Sequence, residues 1–146
     1  VNLDKAITLI KRCAERMTQL YGRDVFDEWA IVAIEKNIPR VLFYMGPSET
    51  EFTANLTGQH MFHELQTSDL NFGDFAFAYD GFGPKADGFL VLGRGIYLVC
   101  NNTQRAITQI TNNPLWRSAQ IPFVELAEAF RADPIVDWPT PKTQNP

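Results

Sequence analysis

Cysteine is scarce: Cys13 and Cys100 are the only two in 146 residues, and neither has a partner at short spacing. Zinc-ribbon and redox motifs therefore have no basis here. Long apolar runs are missing as well. The longest, Trp29 to Ile34 and Phe89 to Leu92, fall far short of the roughly 18 residues of a membrane span. No leader-like pattern precedes the first apolar stripe, so a soluble, cytoplasmic protein without a membrane role is expected. Positive charge is absent over a long stretch. Residues 41 to 84 carry Glu49, Glu51, Glu64, Asp69, Asp74 and Asp80 but no Lys or Arg, a formal −6. The first 23 residues hold Lys5, Lys11, Arg12, Arg16 and Arg23 against Asp4 and Glu15, a formal +3. Nucleic acid requires a basic stripe that spans several phosphates, and five cations on one helix beside an acidic middle do not supply it. The basic helix reads as a solvated face.

What is present describes one globular domain. The chain is 45% hydrophobic, 12% aromatic and 21% charged, with a net charge of −4. A domain of this length buries about two-thirds of the surface its unfolded chain exposes, enough for a core without a disulfide or metal. Leu3, Ile7, Ile10, Ala14, Met17 and Tyr21 recur three or four apart and predict an amphipathic helix, with Asn2 or Asp4 at its start and Gly22 after its end. Val25 to Ile34 is a nearly continuous apolar, β-branched run, the pattern of a central strand covered on both faces. Lys36, Asn37 and Pro39 predict a turn, and Val41 to Met45 the returning strand of a hairpin. Gly46 and Pro47 stop it. Ser48 and Glu51 then make a capping box for a helix to about Leu65, with Phe52, Leu56, Phe62 and Leu65 on its buried side.

Phe75, Phe77 and Tyr79 alternate with Asp74, Ala76 and Ala78, which predicts a strand with one aromatic face and one face of small residues. Asp80 to Asp87 reads as a loop. Phe89 to Leu92 and Ile96 to Cys100 are strands joined tightly through Gly93, Arg94 and Gly95. Asn102 or Thr103 is the expected cap of a short helix that ends before Pro114, and Leu115 and Trp116 begin a connecting turn of helix. Pro122 opens a last helix with Phe123, Leu126, Ala127 and Phe130 inside. Four of the nine prolines fall in residues 134 to 146, so those residues are expected to form an extended or disordered tail containing Trp138. The domain is thus assigned to residues 1–133 and the tail to 134–146.

The fold class expected from this order is α+β: a five-stranded antiparallel sheet with flanking helices, in the order α-β-β-α-β-β-β-α with one further helix. The segment Ile96-Tyr97-Leu98-Val99-Cys100-Asn101-Asn102-Thr103, leading into Ala106, Ile107 and Ile110, is similar to the last strand and closing helix of the roadblock/dynein-light-chain domain. The element order over roughly residues 3 to 112 resembles the same family, a relative of the longin and profilin-like folds. The resemblance implies a non-enzymatic, dimeric module that serves small GTPases, motors or scaffolds and needs no cofactor. It also implies a dimer interface on the third strand and second helix, which here are Gly73 to Tyr79 and Phe52 to Leu65. Phe52, Leu56, His60, His63, Asp74, Ala76 and Ala78 are the interface residues so marked. The residues themselves add support, because the strand has no Pro, Lys or Arg to block edge pairing. Two copies of the −6 segment would then meet, so Glu49, Glu51, Glu64, Asp69 and Asp74 must point outward or find cations.

Two other function classes remain at this stage. His60 and His63 lie three apart and with an acidic residue could serve a hydrolase, but they lack the third ligand and the His-Glu-x-x-His order of a catalytic zinc site, so no metal or catalytic set is expected. A Cys100 nucleophile would need a nearby base, and a buried cysteine acting as an apolar side chain is the simpler reading. Gly81-Phe82-Gly83 and Gly93-Arg94-Gly95 complete no phosphate-binding loop. The other class is a small-molecule sensor, in which Trp29, Phe43, Phe75, Phe77, Phe89 and Tyr97 would line a pocket between sheet and helix.

Overall fold

A computed structural model describes residues 1–56, 69–77 and 85–137. Its elements are α1 (Leu3–Tyr21), β1 (Glu28–Glu35), β2 (Ile38–Met45), α2 (Glu49–Leu56), β3 (Phe75–Phe77), β4 (Lys85–Gly93), β5 (Ile96–Ala106), α3 (Ile107–Thr111), α4 (Trp116–Ala119) and α5 (Ile121–Ala132). The five strands form one antiparallel sheet in the order β2-β1-β5-β4-β3. This is the α+β class expected from the sequence. None of the described helices is long and apolar enough to cross a membrane.

In α1 the buried stripe is Ala6, Ile10, Cys13, Met17 and Tyr21, and the expected Leu3, Ile7 and Ala14 flank it, partly exposed. Its start is capped by Asn2, whose Oδ1 accepts the Lys5 N–H at 2.9 Å. Gly22 follows at φ +89°, and its N–H donates to Thr18 O at 2.8 Å. A Cβ at Gly22 would meet nothing within 4 Å, so an alanine there suffers only from the left-handed backbone. Gly22→Ala should therefore cost about 1 kcal/mol, read as a lower urea midpoint at constant slope, and an unchanged midpoint would contradict this end to the helix.

β1 is a central strand, as its apolar run predicts. Pleating sends Trp29, Ile31 and Ala33 to one face and Ala30 and Val32 to the other, and both sets are buried. The strand begins at Glu28 rather than Val25. The turn that follows is shorter than expected: Lys36 and Asn37 alone have positive φ, +53° and +65°, and β2 already starts at Ile38. Pro39 lies within β2 opposite Ile34, tolerated because β2 is an edge strand.

Two further differences shape the sheet. Lys85 to Asp87 belong to β4 instead of a loop, because β5 continues past Cys100 to Ala106 and offers them a partner. Asn102 and Thr103 consequently lie in a strand and cap no helix. Asn102 is buried, donates from Nδ2 to Val25 O at 2.8 Å and accepts the Gln104 and Arg105 N–H groups on Oδ1.

Helices α1, α3, α4 and α5 pack on the face of the sheet that carries Ile31, Leu90, Leu92 and Leu98, with Phe123 and Phe130 fully buried among them. Helix α2 covers the opposite face. Ile135, in the segment assigned to the tail, is 2% exposed and donates its N–H to Leu92 O at 2.8 Å. A Cβ at Gly93 would run into the Ile135 carbonyl oxygen, so this docking requires glycine there. Trp138 and the tail beyond it lie outside the described residues.

Candidate functional site

Among the described residues the buried polar side chains are Glu28, Asn101 and Asn102. A carboxylate in such a place has to be hydrogen-bonded or paired, so Glu28 marks the site. Strand register explains its company: Glu28 of β1 lies opposite Asn101 of β5, which in turn lies opposite Asp87 of β4. Alternation puts all three on the face of Ala30, Val32 and Val99, the side covered by α2. A polar row thus crosses three adjacent strands at one end of the sheet.

Tyr44 of β2 completes the row. Its hydroxyl donates to Glu28 Oε2 at 2.7 Å and accepts the Ser48 N–H at 3.0 Å, which ties the cluster to the start of α2. The Tyr44 ring needs the space beside Gly46, where a Cβ would come within 2.6 Å of the phenol oxygen. Burial, and then the hydrogen bond to Glu28, push the Tyr44 hydroxyl up to about 12. Glu28 Oε1 accepts from Asn101 Nδ2 at 2.9 Å. Both oxygens of Glu28 are therefore served by neutral donors. Asn101 Oδ1 is buried and receives no hydrogen bond.

Asp87 stands at the open end of the row, half-buried. Burial first, and the charge of Glu28 second, push its carboxyl up to about 6. Beside the row, Asp27 accepts both the Thr103 N–H at 2.9 Å and the Thr103 hydroxyl at 2.5 Å, while its own N–H donates to Asn101 O at 3.0 Å. Chemically the cluster is rich in oxygen acceptors and holds neither a thiol nor an imidazole. Among the described residues no group of three or more His, Cys, Asp or Glu is arranged to hold a metal ion by these residue types alone.

The residues marked in the sequence fare differently. Phe52 and Leu56 are 3% and 4% exposed and pack under α2 against Ala30, Val32 and Val99, so they serve the core and are not free for a partner. The outer side of α2 instead presents Glu49, Thr50, Glu51, Thr53, Ala54 and Asn55. Asp74 is half-buried, its Oδ2 accepting the Asn71 N–H at 2.9 Å and its carbonyl the Val91 N–H at 2.9 Å, which sets the entry to β3. Ala76 is exposed. His60, His63 and Ala78 lie outside the described residues. Cys100 is fully buried and its thiol is pushed well up by burial, while Cys13 is pushed up to about 12, also mainly by burial. Both behave as apolar side chains and neither is a nucleophile.

The six aromatics expected to line one pocket divide between the faces: Trp29, Phe43, Phe75 and Phe77 on the side of α1 and α5, Phe89 and Tyr97 on the other. Open grooves occur among the described residues. One, of about 440 Å³, has Phe26, Trp29 and Met45 between α1 and β2, and another, of about 540 Å³, has Tyr97, Arg94 and Arg131 around it.

The polar row was not read from the sequence. Glu28 lay hidden in an apolar run, Asp87 was assigned to a loop, and Asn101 drew notice only as part of a local resemblance. The one available signal was a carboxylate at the head of a strand expected to be covered on both faces.

No protein-family model, characterised protein or solved structure matches the chain.

Proposed function

We propose that this domain is a non-enzymatic interaction module that pairs with a second copy of itself through the β3 edge. The observation that carries the reading is the position of β3: among the described residues it is the terminal strand, paired with β4 on one side and with no strand on the other. Because Asp74 O accepts from Val91 N, while the Asp74 N–H donates to Asn71 O, the register directs the main-chain groups of Ala76 to β4 and those of Phe75 and Phe77 outward. The side chains of Phe75 and Phe77 hold the strand down against Phe123, and exposed Ala76 leaves room for a close neighbour. Such an edge, without Pro, Lys or Arg, is a template for another strand.

The acidic segment is compatible with this pairing, because Glu49, Glu51 and Asp69 are exposed and remain hydrated. Repulsion between the Asp69 and Asp74 carboxylates, which lie just before β3 in each copy, makes the association salt-sensitive. The dimer is expected to tighten as ionic strength rises, the reverse of a contact held by ion pairs. A small GTPase or scaffold protein would be the partner of the assembled dimer.

Size-exclusion chromatography with light scattering tests the reading. The wild type should run as a dimer, and Ala76→Asp, which puts a carboxylate on the exposed side of the edge strand, should run as a monomer. A wild type that stays monomeric at high concentration in both low and high salt would sink it, as would an interface burying less than about 1,000 Å² in total.

A further inference from the structure

We propose that Asp87, Asn101 and Glu28 form a binding site for a hard divalent cation, Mg2+ or Ca2+, at the end of the sheet that faces α2. The proposal is independent of the dimer. It begins from an unsatisfied atom: Asn101 is 6% exposed, and its Oδ1 receives no hydrogen bond. Buried acceptors are almost always satisfied in folded proteins, so this one calls for an occupant. The amide cannot escape by turning over. Its Nδ2 donates to Glu28 Oε1 at 2.9 Å, and a flip would set two acceptors against each other. With the nitrogen committed to the β1 side, the oxygen is left for the β4 side, where register places Asp87.

The charges point the same way. The described ion pairs involve neither Glu28 nor Asp87, and both hydrogen bonds to Glu28 come from neutral groups. Two carboxylates therefore share one end of the sheet with an orphan carbonyl oxygen, and among the described side chains no cation pairs with either. One bound cation answers all three at once. A buried water would serve the amide oxygen but leave both negative charges in place.

The donor set selects the class of ion. Two carboxylates and an amide carbonyl are oxygen ligands, which suit Mg2+ and Ca2+, whereas thiolate and imidazole, preferred by zinc and copper, are missing from the row. Three protein oxygens leave further positions for water, and Asp87, the half-exposed member, opens the site to solvent. The three ligands sit on adjacent strands whose register is fixed by the sheet, so they are pre-positioned. The ion would also brace α2, because Glu28 holds the Tyr44 hydroxyl that accepts the Ser48 N–H.

Isothermal titration calorimetry and thermal unfolding of the chelator-treated protein at neutral pH, with MgCl2 or CaCl2 against NaCl at matched ionic strength, test the site. Saturable one-site binding of either ion and a raised melting temperature are expected. Asp87→Asn should weaken binding by about tenfold or more. Asn101→Leu should do the same if it folds, and Asp87→Asn carries the test if it does not. The double variant Glu49→Gln/Glu51→Gln should bind as the wild type does. Absence of saturable binding at millimolar ion would overturn the proposal, because a proton or water then occupies the site. Undiminished binding by Asp87→Asn would overturn it too. So would loss of binding in the Glu49/Glu51 variant, which would move the ion to the exposed acidic helix.

Discussion

Phe123→Ala is expected to lower the stability of the domain by about 3–5 kcal/mol, the range for a fully buried aromatic that leaves a cavity. Phe123 is 0% exposed and stands where α5, β3 and β1 meet. Its ring centroid lies 4.9 Å from Phe77, 5.4 Å from Phe75 and 6.4 Å from Trp29, in tilted and edge-on arrangements. Such aromatic pairs contribute about 0.5–1.5 kcal/mol each beyond the area they bury. Alanine removes all three contacts, and the surrounding strands cannot collapse into the space because their register is fixed by the sheet. Urea denaturation should show the loss as a lower midpoint with an unchanged slope. Phe123→Leu, which keeps most of the volume, should lose less. A cost below about 1 kcal/mol for the alanine would mean that α5 is an appendage rather than part of the core. The same substitution bears on self-association. Phe123 holds down Phe75 and Phe77, and Arg131 of α5 donates from Nη2 to Gly73 O at 3.1 Å, so the β3 edge is positioned from α5. Loosening this helix should therefore weaken the dimer as well as the fold.

Asp87→Asn should act in the opposite direction and stabilise the protein near neutral pH by about 1–2 kcal/mol, after allowance for the solvent that reaches this half-buried group. The Asp87 carboxyl is pushed up from an ordinary value of 3.8 to about 6, by burial and then by Glu28. A carboxyl with a raised folded pKa binds protons more tightly in the fold than in the unfolded chain. Its charge therefore costs nothing below about pH 4, costs progressively more as pH rises through the folded value near 6, and costs a constant amount above it. Asparagine removes that cost. Without divalent ions, the melting temperatures of wild type and variant should converge in acid and separate between pH 4 and 6. A variant less stable than the wild type at neutral pH would show that the carboxylate is compensated. The wild type keeps a charge that its own fold disfavours, a pattern common at binding sites, where stability is given up to hold ligating groups.

How the sequence led to each feature depended on the range of the interactions involved. Ile10, Met17 and Tyr21 of the α1 stripe and the cap at Gly22 depend on residues within a turn or two of each other, and they stand as read, while Cys13 takes the buried place read for Ala14. The alternation of Phe75, Ala76 and Phe77 placed the aromatics inward and the alanine outward for the same reason. Strand ends were misjudged where a partner strand decided them. Lys85 to Asp87 carry glycine and charge in their neighbourhood and read as a loop, yet they pair because β5 runs on to Ala106. Pro39 reads as a turn residue, and only the edge position of β2 lets it stay in a strand.

The candidate site shows the limit most clearly. Glu28, Asp87 and Asn101 are far apart in the chain, and no local pattern joins them. They meet because β1 and β4 both pair with β5 in registers that bring Asn101 opposite each carboxylate in turn. In the same way Phe52 and Leu56 read as candidates for a partner surface, and the packing of α2 on Ala30 and Val32 turned them inward. The sequence by itself determined the α+β class, the order of the elements, the apolar stripes and the separation of a basic first helix from an acidic middle, since each depends on composition or on short periodicity. Only the tertiary structure decided which strand became an edge, which apolar residues were consumed by the core, and which three oxygen-bearing side chains share one end of the sheet, because strand pairing joins residues that sequence distance keeps apart.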